Sequence, residues 1–91
     1  MSNEDLIRQV NIQEIAEMGR RIYEEVKSQY EPQCNGEFLA IDTESRNVYK
    51  GDTTTEAVER ARLAHPQKVF YIVKIGFSVS EVLAGLRELG V

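Results

Sequence analysis

Between Gly51 and Pro66 the chain must finish a strand, turn, wind a short helix and stop. Gly51-Asp52 releases the backbone, Thr53 and Glu56 stand at the N-cap and N3 positions of a capping box, and Pro66 forbids continuation past His65. On that helix Ala57, Val58, Ala61 and Ala64 form a narrow inner face, small enough to lie close to whatever it covers. Strand-like runs flank it, 37–42 and 47–50 before and 69–75 after, so the helix has to return the chain to one sheet. That requirement sets an α+β organisation.

Upstream, residues 1 to 10 carry no comparable punctuation. Ser2 with Asp5 fits the cap of a turn, and Leu6, Ile7 and Val10 have helical spacing, so this arm stays outside the single domain expected over 11–91. Asn11 with Glu14 forms a capping box and Val10 with Ile15 a hydrophobic staple around it, which predicts a helix start. Ile12, Ile15, Ala16, Gly19, Ile22, Tyr23, Val26 and Tyr30 then recur at helical spacing opposite Glu17, Arg20, Glu24 and Lys27. Pro32 closes the run, because the residue before a proline is pushed out of helical geometry. Gly19 lies on the apolar stripe, where glycine costs about 1 kcal/mol against alanine, and so marks a close approach. The flat spot of Ala16 and Gly19 suits a side chain of the chain's own sheet, the preferred reading, or a partner's helix.

Phe38-Leu39-Ala40-Ile41 is apolar on both faces and reads as a central strand, with Asn47 to Lys50 returning antiparallel after a polar turn. Val69 to Ile75 is β-branched or aromatic almost throughout and is the strongest strand. After Gly76, Phe77 and Val82 repeat the staple, and Ser78 and Glu81 the capping box. They predict a C-terminal helix with Val79, Val82, Leu83, Leu86 and Leu89 on one side and Gly90 at its close. The expected order is helix-strand-strand-helix-strand-helix around a three-stranded sheet. The third strand pairs either antiparallel with the first, giving 2-1-3, or parallel with the second through a right-handed crossover. Order 2-1-3 is preferred because it centres the two-sided strand.

Composition narrows the function classes. Ninety-one residues supply one core and no second domain. Cys34 has no second cysteine to pair with and suits a reducing compartment. The acidic, polar start lacks the pattern of a secretory leader, and no run approaches the roughly 20 apolar residues of a membrane span, so a cytoplasmic protein without a membrane partner is expected. Fifteen acids against 11 bases give a formal charge of −4, which offers a phosphate backbone little attraction.

Catalytic, cofactor-binding and metal-binding residues are not assigned. His65, the only histidine, sits where an imidazolium meets a helix C-terminus favourably, and capping is its expected role. Asp42, Glu44, Asp52 and Glu56 gather around turns and a helix start, where carboxylates serve as caps, although such a set can also hold Mg²⁺. No glycine spacing of the phosphate-binding kind occurs. Because two helices usually fill one face of a small sheet, the last helix is left to cover the other face or to meet another chain.

Gly51-Asp52-Thr53 followed by Glu56-Ala57 and Ala61 resembles HicB-type antitoxins, in which a hairpin leads into the same G-D-T-x-x-E-A pattern. A broader likeness rests on Tyr30-Glu31-Pro32, Phe38-Leu39-Ala40-Ile41-Asp42, Val48-Tyr49-Lys50-Gly51-Asp52-Thr53 and Val69-Phe70-Tyr71-Ile72-Val73-Lys74-Ile75-Gly76-Phe77. These segments resemble a small uncharacterised bacterial family associated with photosynthetic bacteria. That resemblance implies a two-gene unit whose second product is a small retropepsin-like protein.

The expected function is a non-enzymatic protein-protein interaction module, dimeric, that binds or restrains a co-encoded partner. Its interface is expected at Val79, Val82, Leu83, Leu86 and Leu89, with Ala16 and Gly19 second. The alternative is an antitoxin-like regulator binding nucleic acid through Arg20, Arg21, Lys50, Lys68 and Lys74, and a distant third is a metal-dependent hydrolase using Asp42 and Asp52.

Overall fold

The computed structural model describes residues 12–77 and the backbone of 81–84. Helix α1, Ile12–Val26, follows the expected stripe, burying Gly19, Ile22 and Tyr23. It ends sooner than Pro32 requires. From Lys27 the chain tightens into a 3-10 turn, Lys27–Gln29, and the Lys27 carbonyl accepts from the amides of Tyr30 at 2.9 Å and Glu31 at 2.8 Å. The capping box and staple proposed around Asn11 involve Val10 and Asn11, which lie outside the described residues.

Strands β1, Phe38–Ile41, and β2, Val48–Gly51, form the hairpin, with Phe38 opposite Gly51 and Ile41 opposite Val48. Helix α2, Thr54–Ala64, begins at an N-cap threonine, Thr53, whose hydroxyl accepts the Glu56 amide at 3.1 Å. The Glu56 carboxylate reaches back one residue further than an ideal box, to the Asp52 amide at 3.3 Å. A Cβ at position 51 would stand 2.4 Å from the Ala57 nitrogen, so the strand can pass under the helix start only as glycine.

Strand β3, Phe70–Lys74, then pairs antiparallel with β1, Leu39 opposite Val73 and Ile41 opposite Tyr71, which gives the order 2-1-3 for these strands. The C-terminal element departs from expectation. Glu81–Ala84, predicted inside a helix, is strand β4, antiparallel to β3 with Val82 opposite Ile72 and Leu83 opposite Tyr71. The sheet is therefore β2-β1-β3-β4. The reason is non-local: the outer backbone groups of buried β3 need partners, and a short segment containing Val82 and Leu83 fits a strand as readily as a helix. Val79, Leu86 and Leu89 of the predicted helix lie outside the described residues.

The helices take opposite faces of the sheet, in place of the shared face assumed from sequence. Ile22 and Tyr23 of α1 cluster with Leu39, Ile41, Tyr71, Val73 and Ile75. Ala57, Val58 and Ala61 of α2 cluster with Ala40, Phe70 and Ile72. Strand alternation produces this division, since residues 39, 41, 71 and 73 share one face and 40, 70 and 72 the other. Each face thus has its own cover, and no third helix is needed to bury one.

Gly19 is where α1 meets the sheet. A Cβ built there would lie 2.3 Å from Cγ of the buried Tyr71 ring, closer than any real contact. The flat spot seen in the sequence is filled from within the chain. Gly19→Ala is therefore expected to destabilise the fold by about 1–3 kcal/mol through overpacking, although helix propensity alone predicts a gain of about 1 kcal/mol. The sign of the shift in urea midpoint, at unchanged slope, decides between them.

Candidate functional site

The densest polar chemistry among the described residues gathers where β1 leaves the sheet. Asp42, 2% exposed, follows β1 and organises the hairpin turn. Its amide donates to the Asn47 carbonyl at 3.0 Å and its carbonyl accepts the Arg46 amide at 2.8 Å. Its carboxylate accepts the Glu44 amide at 3.2 Å and the Ser45 hydroxyl at 2.9 Å. This is an Asx-type turn, in which a short side chain substitutes for a backbone acceptor. Arg46, at φ 67°, completes the reversal, and its guanidinium pairs with Glu25 of α1 at 2.5 Å.

His65 approaches from α2. Its amide donates to the Ala61 carbonyl at 2.8 Å, making it the C-cap residue, while Nδ1 lies 3.4 Å from Asp42 Oδ2. On the other side of the ring, Nε2 is 2.9 Å from the Tyr49 hydroxyl of β2. The His65 ring meets Tyr49 edge-on at 5.8 Å and tilts over Phe70 at 6.5 Å between centroids. The result is a row of carboxylate, imidazole and phenol that ties the end of α2 to the hairpin. The expectation for His65 was thus incomplete: its backbone ends the helix, but its side chain reaches across to β1 and β2.

A carboxylate, an imidazole and a hydroxyl in sequence is also the order in which a carboxylate-held histidine activates a hydroxyl nucleophile. Catalysis also requires donors aimed at a developing charge. The Glu44 amide and Ser45 hydroxyl beside Asp42 are engaged with its own turn, and the row clasps the end of α2 to the hairpin.

Asp42 and Asp52 do not meet. Asp42 lies beside the C-cap residue of α2 and Asp52 precedes its N-cap, so the eleven residues of that helix, roughly 16 Å of rise, separate them. Among the described residues no group of three or more His, Cys, Asp or Glu side chains is arranged to hold a metal ion.

The bases proposed for nucleic acid are dispersed. Lys50 pairs with Glu37 at 2.7 Å, which raises the lysine pKa and lowers that of the carboxylate, chiefly through their hydrogen bond. Lys68 pairs with Glu44, and that hydrogen bond raises its pKa too. Lys74 Nζ rests 4.7 Å from the centre of the Phe77 ring and 5.9 Å from that of Phe38. Arg20 and Arg21 share the outer side of α1 with Glu17, Glu24 and Glu25. A phosphate chain would find acids beside most of these bases.

Of the expected interface residues, Gly19 is buried and Ala16, half-buried, packs against the core beneath α1. Val82 and Leu83 fall in β4. The large apolar side chains most open to solvent among the described residues are Leu63, 87% exposed, with Ile12 and Phe77 at 48% each. They lie on different elements and form no described patch. No family model, curated protein or solved structure matches the chain.

Removal of the imidazole tests the clasp. His65→Ala is expected to cost about 1–3 kcal/mol, because the Tyr49 hydroxyl loses its hydrogen-bond partner and the buried Asp42 carboxylate loses the imidazole 3.4 Å away. Asp42→Ala should cost more, since the amide of Glu44 and the hydroxyl of Ser45 lose their acceptor as well. A double-mutant cycle in urea should return a coupling of at least about 0.5 kcal/mol, and additive effects would show that the row holds nothing together.

Proposed function

We propose that this chain is a non-enzymatic protein-protein interaction module that engages its partner through the outer edge of β4. The observation that supports this reading is the register of β4, which directs alternate backbone groups away from β3. At the β2 edge, Arg60 donates its guanidinium to the Lys50 carbonyl while also pairing with Glu56 at 3.0 Å, and Lys50 itself is paired with Glu37. A charged side chain on an outward carbonyl is one of the usual protections of a sheet edge. At the other edge, β4 is the last strand of the sheet among the described residues.

The direction of the β4 backbone groups follows from alternation. The Asp42–Asn47 hydrogen bond makes Ala40–Tyr49 a bonded pair as well, which turns the groups of Leu39 and Ile41 toward β3. Tyr71 and Val73 answer β1, so Phe70 and Ile72 bond to Ala84 and Val82. Glu81 and Leu83 then direct their amides and carbonyls outward, where an added strand finds donors and acceptors in register. The interaction reading thus keeps the segment expected from sequence, with a strand edge replacing a helix face as the contact.

By resemblance, the co-encoded retropepsin-like protein is the natural candidate for a foreign partner. The nucleic-acid reading draws no support from the dispersed, acid-paired bases, and a gel-shift with the chain's own upstream DNA at low salt is expected to show no complex.

Leu83→Pro tests the edge. It removes an outward donor and leaves the ladder to β3 intact, as proline on an edge strand does. Calorimetric titration of the wild type with the purified retropepsin-like protein is expected to show binding, and the proline variant, with an unchanged circular dichroism spectrum, to show none. Equal binding by both would rule out the β4 edge as the contact.

A further inference from the structure

We infer that Asn35-Gly36 is a modification site, at which the Asn35 carboxamide is lost as ammonia when a glycine bulge ahead of β1 releases Ile75. Gly36, at φ 95°, donates its amide to the Ile75 carbonyl at 2.9 Å, and the Ile75 amide donates to the Glu37 carbonyl at 2.8 Å. Two residues of one chain segment thus face one of the other, with glycine at the left-handed position, which is the pattern of a G1 bulge. The Glu37 amide also donates to the Cys34 carbonyl at 3.0 Å, so Asn35 and Gly36 form the central pair of a tight turn. Asn35 is exposed to water, and its carboxamide lies over Gly76, where a Cβ would come within 2.5 Å of Asn35 Cγ.

Asparagine is among the thermolabile side chains, and a glycine after it leaves the next backbone nitrogen unshielded by any side chain. Solvent hydroxide takes the Gly36 amide proton, the nitrogen bonds to Asn35 Cγ, and the Cγ–Nδ2 bond breaks as the leaving nitrogen takes protons from water and departs as ammonia. Water then opens the cyclic imide. Addition at Cγ gives aspartate at position 35, whereas addition at the backbone carbonyl carbon gives isoaspartate, whose main chain runs through the former side chain. In the bulge the attacking nitrogen keeps its proton against the Ile75 carbonyl, so the reaction waits for local opening of this latch. Isoaspartate lengthens the main chain just before β1 and puts Gly36 and Glu37 out of step with Ile75. The site is independent of the β4 edge.

The test holds the full chain at mildly alkaline pH, in native buffer and in denaturing urea, and follows loss of the amide at position 35 by peptide mass mapping. Loss is expected in both, at least about tenfold slower in native buffer, because the hydrogen bonds of the bulge must open first. Hydrogen exchange at the Gly36 amide should be slowed by a similar factor, since one opening exposes the same proton to both reactions. Asn35→Asp adds the charge without the longer main chain and is expected to keep the Gly36 amide protected. The isoaspartyl chain purified from the aged sample is expected to lose that protection. Equal rates in buffer and urea, or an unprotected Gly36 amide in the parent, overturns the latch. A native chain that keeps its Asn35 amide while the unfolded chain loses it overturns the modification site.

Discussion

The ring of Tyr71 lies against bare backbone at Gly19, and that contact sets how closely α1 can approach the sheet. Once the helix sits at that height, its spacing carries Ile22 and Tyr23 onto Leu39, Ile41 and Val73. Tyr23 then fastens the helix at a second level, its hydroxyl donating to Glu31 and accepting the Gly76 amide at 3.1 Å. Burial, followed by the bond to Glu31, raises the pKa of this phenol, so the neutral form that supplies the donor is favoured. Packing and hydrogen bonding on this face share one geometric condition.

The opposite face reaches closeness by different means. Ala57, Ala61 and Ala40 are fully buried where α2 crosses the sheet, and Gly51 lets the strand end pass beneath the first turn. Small residues contribute little transfer free energy each, roughly in proportion to the area they bury. The polar clasp of Asp42, His65 and Tyr49 adds directional hold at the far end of the helix. The helix is thus capped at Thr53 and anchored at His65.

What could be read from sequence was what local chemistry dictates. Thr53 and Glu56 announced a helix start because a cap is made within four residues, and Pro66 announced its end. The two-sided apolar run of Phe38 to Ile41 implied a central strand and hence the 2-1-3 order. Segment 81–84 misled because Ser78 and Glu81 repeat a helix-start pattern, while the deciding partner is β3, which precedes it only after an intervening turn. The clasp was illegible for a related reason. Tyr49 and His65 are 16 residues apart, and only the crossover from β2 through α2 brings the ring back over the hairpin. Alternation in β2, with Val48 on the face of α1 and Tyr49 on that of α2, was the available signal.

Among the described residues no side chain belongs to both apolar clusters. The sheet acts as a partition, with β1 and β3 presenting alternate residues to two separate interiors. Substitutions on either side of such a wall communicate only through strand backbone, so their energetic effects should be nearly additive. A chain built this way can revise the lining of one compartment while conserving the other, and its descendants can drift in two halves at different rates.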